Sequence, residues 1–179
     1  MSADHESNML HGAVAGIAGG LIASWVMNEF MAGPGKKIQA AVEGAVHTDQ
    51  PQQQQKKDGK EEDATMKAAD AVVEITTGGR HLSHEGRKKG GPIVHYSYGA
   101  LMGGLYGSAA EYLKASRAGL GTVFGSLLFV AGDLIAVPAF GLGPSATEQP
   151  ASAMVNPFAA HLVYGSTTEV VRRAVRAIW

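Results

Sequence analysis

The sequence predicts an all-α fold: an integral membrane four-helix bundle built from two helical hairpins, with a long polar loop between spans 1 and 2. Three observations carry that prediction. Four mostly apolar segments, about residues 10–32, 92–113, 118–140 and 153–171, are separated by Gly- and Pro-rich breaks, and a hydrocarbon core of about 30 Å needs roughly 20 helical residues. Glycine accounts for 24 of 179 residues. In a soluble helix each would cost about 0.8–1 kcal/mol relative to Ala, whereas in lipid small residues let helix backbones approach closely. Charge is also segregated, with ten of the fifteen Lys and Arg lying between Lys36 and Lys89.

Segment one, Leu10 to Ala32, carries Gly12, Gly16 and Gly20 at four-residue spacing, then Trp25 as an interfacial anchor. Asn28 and Glu29 are polar residues near its far end, and Gly33-Pro34-Gly35 stops it. The acidic N-terminus has no basic n-region, so this segment is expected to stay as an anchor rather than be cleaved. Residues 33–91 form a polar loop. Gln52 to Gln55 and the following Lys-rich run cannot build a core. Within the loop, residues 61–76 place Ala68, Ala71, Val72 and Ile75 on one helical face, and a second short turn is expected near Ile38 to Val46. Gly78-Gly79 and Gly90-Gly91-Pro92 read as breakers.

Segment two places Pro92 in its first turn, where a missing N–H is harmless. It continues through His95-Tyr96-Ser97-Tyr98 and the ladder Gly99, Gly103, Gly107. Segment three holds Gly121 and Gly125 and one acid, Asp133, five residues before Pro138. Segment four is the most polar. It contains Asn156, His161, Tyr164, Thr167, Thr168 and Glu169 and ends in Arg172, Arg173 and Arg176. A segment with that content is expected to pack inside the bundle rather than face lipid all round.

The halves match in pattern. Gly16, Gly20 and Asn28 align with Gly121, Gly125 and Asp133, and segments two and four share His-x-x-Tyr-Gly. An internal repeat of two spans places both copies in one orientation. Asn28, Glu29, His95, Asp133 and His161 then share the leaflet next to the long loop. At about 1.5 Å per residue, Asp133 and His161 lie roughly 10 Å inside their segments, with Asn28 and His95 at roughly 5 Å. Tyr98 and Tyr164 follow one turn deeper on the faces of their histidines. Charge at such depth has to pair or meet water, and Asp133 is expected to pair with His161. The plain structural reading of this layer is interhelical hydrogen bonding that sets register. The functional reading is a layer that binds or relays a proton or a small polar ligand, with histidine as the group that changes charge near neutral pH. The glycine ladders Gly12, Gly16, Gly20, Gly99, Gly103, Gly107, Gly121 and Gly125 read as core packing within one chain.

Several classes are excluded or disfavoured. Without cysteine there is no disulfide, thiolate metal site or Cys nucleophile. No nucleophile motif or cofactor fingerprint is present, so no catalytic residue, cofactor or enzyme activity is expected. His81 and His84 have no carboxylate pattern in sequence to complete a metal ligand set, and no metal is expected. A bis-histidine haem would need His95 and His161 at one depth, and glycine-laddered helices pack too close for a macrocycle. Loop basicity is interleaved with Glu61, Glu62 and Asp63, which disfavours nucleic acid.

The run from Gly119 through Asp133-Leu-Ile-Ala-Val-Pro138 to Gly141-Leu-Gly-Pro144, then Ala160-His-Leu-Val-Tyr164 and Glu169-Val-Val-Arg172-Arg173, resembles the YagU-like bacterial inner-membrane proteins. The Gly-rich first segment with Trp25 is similar too. The resemblance implies a multi-pass bacterial inner-membrane protein of uncharacterised function, with no catalytic residues to carry over. Two departures go with it. The resemblance implies His where this chain has Asp133, and a proline-rich first loop where this chain is rich in Gln and Lys.

An even number of spans puts both termini on one side. Lys114, Arg117, Arg172, Arg173 and Arg176 argue for the cytoplasm, while Lys36, Lys37, Arg87, Lys88 and Lys89 pull the other way from a loop long enough to weigh less. The expected function is a scaffold or membrane-complex component, with the lipid bilayer and a second copy or another membrane protein as partners. The alternative is a small transporter or proton-responsive protein using the His/Asp/Tyr/Asn layer.

Overall fold

The computed structural model describes residues 3–45 and 62–179. The Gln52–Gln55 run and the lysines at 56, 57 and 60 lie outside the described residues. Among the described residues the chain is mostly helical, with no strand. Its helices are α1 (Ala3–Ala32), α2 (Pro34–Ala45), α3 (Ala64–Thr77), α4 (His84–Tyr112), α5 (Thr122–Leu128), α6 (Val137–Ala139) and α7 (Val155–Arg176). A π-helical stretch, Phe129–Ala136, joins α5 to α6.

The long helices form a row. α1 packs against α4 on one side and α7 on the other, and α5 packs on the outer side of α7. Small residues make this order close. A Cβ on Gly16 would strike the Gly103 carbonyl, one on Gly20 the Gly99 carbonyl, and one on Gly12 would lie 2.5 Å from the Gly107 oxygen. Gly19 does the same against Thr168 on α7, and Gly121 and Gly125 against Gly165 and His161. Each contact is backbone on backbone within one chain, the approach that small residues allow. Ala23, Met27, Leu128, Ala160 and Tyr164 form the buried core, with Phe30, Met31, Met102 and Phe124 packed around it.

Among the described residues, Asn8–Ala32 and Ala115–Ala139 are the two stretches long and apolar enough to cross a membrane. Their large apolar side chains face outward: Leu10, Val14, Leu21 and Trp25 on one, Leu127, Val130 and Ile135 on the other. Ile93, Leu101 and Leu105 make a similar stripe on α4. Outward apolar surface of this extent is unusual for a soluble monomer and suggests a membrane location.

Four boundaries differ from the sequence expectation. α4 begins at His84 rather than Pro92, and Pro92 lies inside it. Ser83 caps the helix by accepting from the Gly86 N–H. The extra turns are held by α3, because Gly90 and Gly91 leave room for Ala69 and Met66; this packing outweighs the weak helix propensity of Gly-Gly-Pro. Segment three does not start as a helix at Ala118. Ala118, Gly119 and Leu120 leave helical geometry, Gly121 takes φ 85°, and the regular helix starts at Thr122. Segment four is helical from Val155 and runs on to Arg176, because its C-terminal arginines find carboxylates on the bundle. Gly33 does end α1, but Pro34 starts α2 at once, since proline suits a first helical turn.

The repeat in the sequence does not carry through the packing. Gly20 meets Gly99 in the first hairpin, whereas Gly125 meets His161, one turn away from the equivalent Gly165. α1 lies against α7, but α4 and α5 share no comparable contact.

Candidate functional site

A cavity of about 520 Å³ opens at the loop end of the bundle, between α1, α3, α4, the π-helical stretch and α7. Its polar lining includes Ser24, Asn28, Asp63, Thr65, His95, Tyr98, Asp133, His161 and Tyr164. Met27, Met31, Val94, Leu128, Val137 and Leu142 supply apolar wall. Six of the seven residues singled out as a polar layer therefore meet around one space. Glu29, the seventh, is exposed and lies outside it.

Local structure sets these side chains. Asp133 sits within the π-helical stretch, where the Val137 N–H reaches back five residues to the Gly132 carbonyl. Pro138 follows directly; its missing N–H and its ring disfavour a regular α turn over the preceding residues. Single widened turns of this kind recur at functional sites. Gly132 adds no side chain beside Asp133, and a Cβ there would stand 3.8 Å from the Tyr98 hydroxyl. His161 donates from Nδ1 to the Pro157 carbonyl at 2.9 Å, and the same nitrogen is 3.8 Å from Asp133 Oδ2. Because a carbonyl only accepts, that bond places a proton on Nδ1. His95 Nε2 donates to the Ser24 carbonyl across to α1 at 3.4 Å. Tyr164 donates to the Gly99 carbonyl at 2.6 Å, tying α7 to α4 beside α1. Two acids, Asp63 and Asp133, line the cavity, and no Lys or Arg does.

The family model described as protein of unknown function (DUF1440) matches residues 45–170. The chain belongs to that family. No curated protein and no solved structure matches it.

This DUF1440 chain carries two further polar clusters that spacing alone did not expose. Above the cavity, α3 is latched to the start of α4. Arg87 donates from Nη1 to both Glu62 oxygens at 3.0 and 2.7 Å and bridges to Asp70 at 3.1 Å. His81 donates to Asp70 and His84 to Glu62. Asp70 also accepts from the Leu82 N–H at 2.6 Å. The Arg87 hydrogen bonds, then His84, hold the Glu62 carboxyl below its ordinary value. The Leu82 N–H is the main cause of the lowered Asp70 value. Among the described residues no group of three or more His, Cys, Asp or Glu is arranged to hold a metal.

The other cluster lies at the opposite end of the bundle. Glu169 is fully buried and accepts from Tyr106 at 2.8 Å, Arg172 at 2.7 and 3.0 Å, and Arg173 at 2.6 Å. Arg172 and Arg176 also reach Glu111, each at 3.1 Å. The sequence signal was Glu169 three and four residues before Arg172 and Arg173, a spacing that puts all three on one helical face. Glu111 and Tyr106 arrive from α4, and nothing in local spacing announces them.

Proposed function

We propose that this is a four-span membrane protein, both termini cytoplasmic, whose loop-end cavity holds a small, largely apolar cation. The observation that carries the reading is the lining of that cavity. Asp63 and Asp133 bring negative charge without a Lys or Arg to cancel it, within walls of Met, Val and Leu and beside the Tyr98 ring. Cavities of roughly 300–1,000 Å³ with apolar walls and a few placed polar groups are the usual form of small-molecule sites. Methionine walls adapt to varied shapes, and an aromatic face attracts a cation. The α3 latch supports the reading further, since Ala64, Thr65 and Ala68 of α3 line the cavity. The arginines clustered at the far end of α7 support cytoplasmic termini.

The test uses the full chain in detergent or proteoliposomes with tritiated tetraphenylphosphonium as the probe. Saturable binding is expected. Replacing Asp133 by Asn removes the charge at constant shape and should weaken binding by about tenfold or more, the value of one charge-assisted contact. Gly132→Leu fills the cavity from a position where a Cβ makes only an ordinary contact, 3.8 Å from the Tyr98 hydroxyl, and should abolish binding while the fold melts normally. Equal binding by wild type and both variants refutes the reading.

A further inference from the structure

The end of the bundle away from the cavity holds a second concavity, of about 310 Å³, lined by Glu111, Arg117, Arg172, Arg173, Arg176 and Ala177. Four guanidinium groups face this space. The carboxylates available to them are Glu111 and the buried Glu169, so positive charge exceeds negative by two. Glu169 occupies Arg172 and Arg173, and Glu111 occupies Arg172 and Arg176. Arg117 has no carboxylate among the described residues. Its Nε and Nη2 donate to the Ala110 carbonyl at the end of α4, which holds the group over the pocket with its charge uncompensated.

Position decides what kind of anion fits. Asn8, where one membrane-length apolar stretch begins, lies at 3.5 Å from Arg176, and the other stretch begins at Ala115, two residues before Arg117. The pocket is therefore level with the ends of both stretches. Apolar residues close in sequence to Asn8, Arg117 and Arg176 are exposed: Leu10, Leu113, Leu120 and Ile178. Trp179, also exposed, stacks edge-on to His11 at 5.6 Å, the placement of an interfacial aromatic anchor. A charged pocket with apolar flanks matches a molecule with an anionic head and hydrocarbon tails. A free phosphate would use the arginines and leave the flanks without purpose. Planar guanidinium groups suit phosphate oxygens, which they contact in pairs, and basic pockets at the cytoplasmic face of helical bundles are where anionic lipid heads bind.

We infer that this arginine pocket binds the headgroup phosphate of an anionic phospholipid, with Arg117 and Arg173 as its principal contacts. Arg173 is half exposed, so one side of its guanidinium remains open while the other serves Glu169. Arg172, 3 % exposed, holds Glu169 and Glu111 in place and is a positioning residue. No residue is shared with the cavity, so the two sites succeed or fail separately.

The test uses the full chain in a neutral detergent, carrying Trp25→Phe so that Trp179 alone reports. It is titrated with dioctanoyl phosphatidylglycerol, dioctanoyl phosphatidylcholine and inorganic phosphate in parallel. The glycerol lipid should produce a saturable Trp179 fluorescence change, and the choline lipid and inorganic phosphate should produce none at the same concentration. Arg117→Gln and Arg173→Gln should each weaken the midpoint about fivefold, the effect of one basic residue at an anionic lipid surface. Arg117→Lys, which keeps the charge, should recover much of the loss. Should Arg117→Gln fail to fold, the half-exposed Arg173→Gln carries the comparison alone. Equal response to both lipids, saturation by inorganic phosphate alone, or an unchanged midpoint in the arginine variants overturns the inference.

Discussion

Replacing Gly16 by Ala tests the contact on which the bundle's closeness rests. A methyl at Gly16 overlaps the Gly103 carbonyl oxygen and lies 2.8 Å from its carbon and 2.9 Å from the Gly107 Cα. Carbon atoms rest about 3.5–4.0 Å apart, so α1 and α4 must separate by roughly 1 Å at that level. A gap of that size forfeits about a quarter to a half of each neighbouring contact along the seam. Overpacking a tight contact costs about 1–3 kcal/mol. Here every obstructing atom is backbone and cannot rotate away, which puts the cost near the top of that range. Helix propensity returns about 0.8–1 kcal/mol, leaving a net loss of about 2 kcal/mol. Gly44→Ala is the matched control, since nothing lies within 4 Å of a Cβ there. It should keep the propensity gain of up to about 1 kcal/mol. The assay is reversible unfolding of the purified chain in mixed micelles with increasing dodecyl sulfate, followed by circular dichroism. Should Gly16→Ala unfold at or beyond the wild-type midpoint, the backbone seam is not what holds α1 on α4.

Two further predictions rest on the polar clusters. Replacing Glu169 by Ala leaves the buried Arg172 with Glu111 as its remaining carboxylate and should cost about 3 kcal/mol in the same unfolding assay, the low end of the usual loss when one partner of a buried pair is removed; a change under about 1 kcal/mol would sink that account. The α3 latch has a defined pH dependence. Glu62 and Asp70 have folded values below their unfolded ones. Their contribution is therefore complete above the ordinary carboxylate range and lost as pH falls through the depressed folded values. Amide exchange in α3, measured after correction for intrinsic rates, should hold level from neutral pH to about pH 5 and rise only below about pH 4. A rise already complete by about pH 6 would show that Glu62 and Asp70 are not what holds the latch.

Much of the architecture was legible because it depends on local pattern. Four-residue glycine spacing marked the faces that touch, and apolar content marked the outward stripes of α1 and of residues 122–139. Local reading failed where tertiary contact outweighed local preference. Gly90-Gly91-Pro92 reads as a helix break, yet α3 supplies Met66 and Ala69 to fill the glycine face and the helix continues through Pro92. Ala118 to Leu120 read as the first turn of a span, yet Gly119 and Leu120 take positive φ and the helix waits for Thr122. The doubled His-x-x-Tyr-Gly motif implied equivalent packing, but a one-turn difference in glycine register separates the two hairpins.

By itself the sequence determined that this chain is helical, that its helices approach closely, and that polar groups lie within all four segments. Those properties follow from residue size, hydropathy and spacing along one helix. Which groups meet was decided only by the tertiary structure. The row order α4, α1, α7, α5 gathers Asn28, His95, Tyr98, Asp133, His161 and Tyr164 around one cavity and leaves Glu29 outside. It also brings Tyr106 and Glu111 of α4 onto Glu169 and Arg172 of α7. The reason is physical. Spacing fixes where a side chain lies around its own helix, whereas the choice of neighbour comes from which glycine faces seat together, and those faces look alike along the chain.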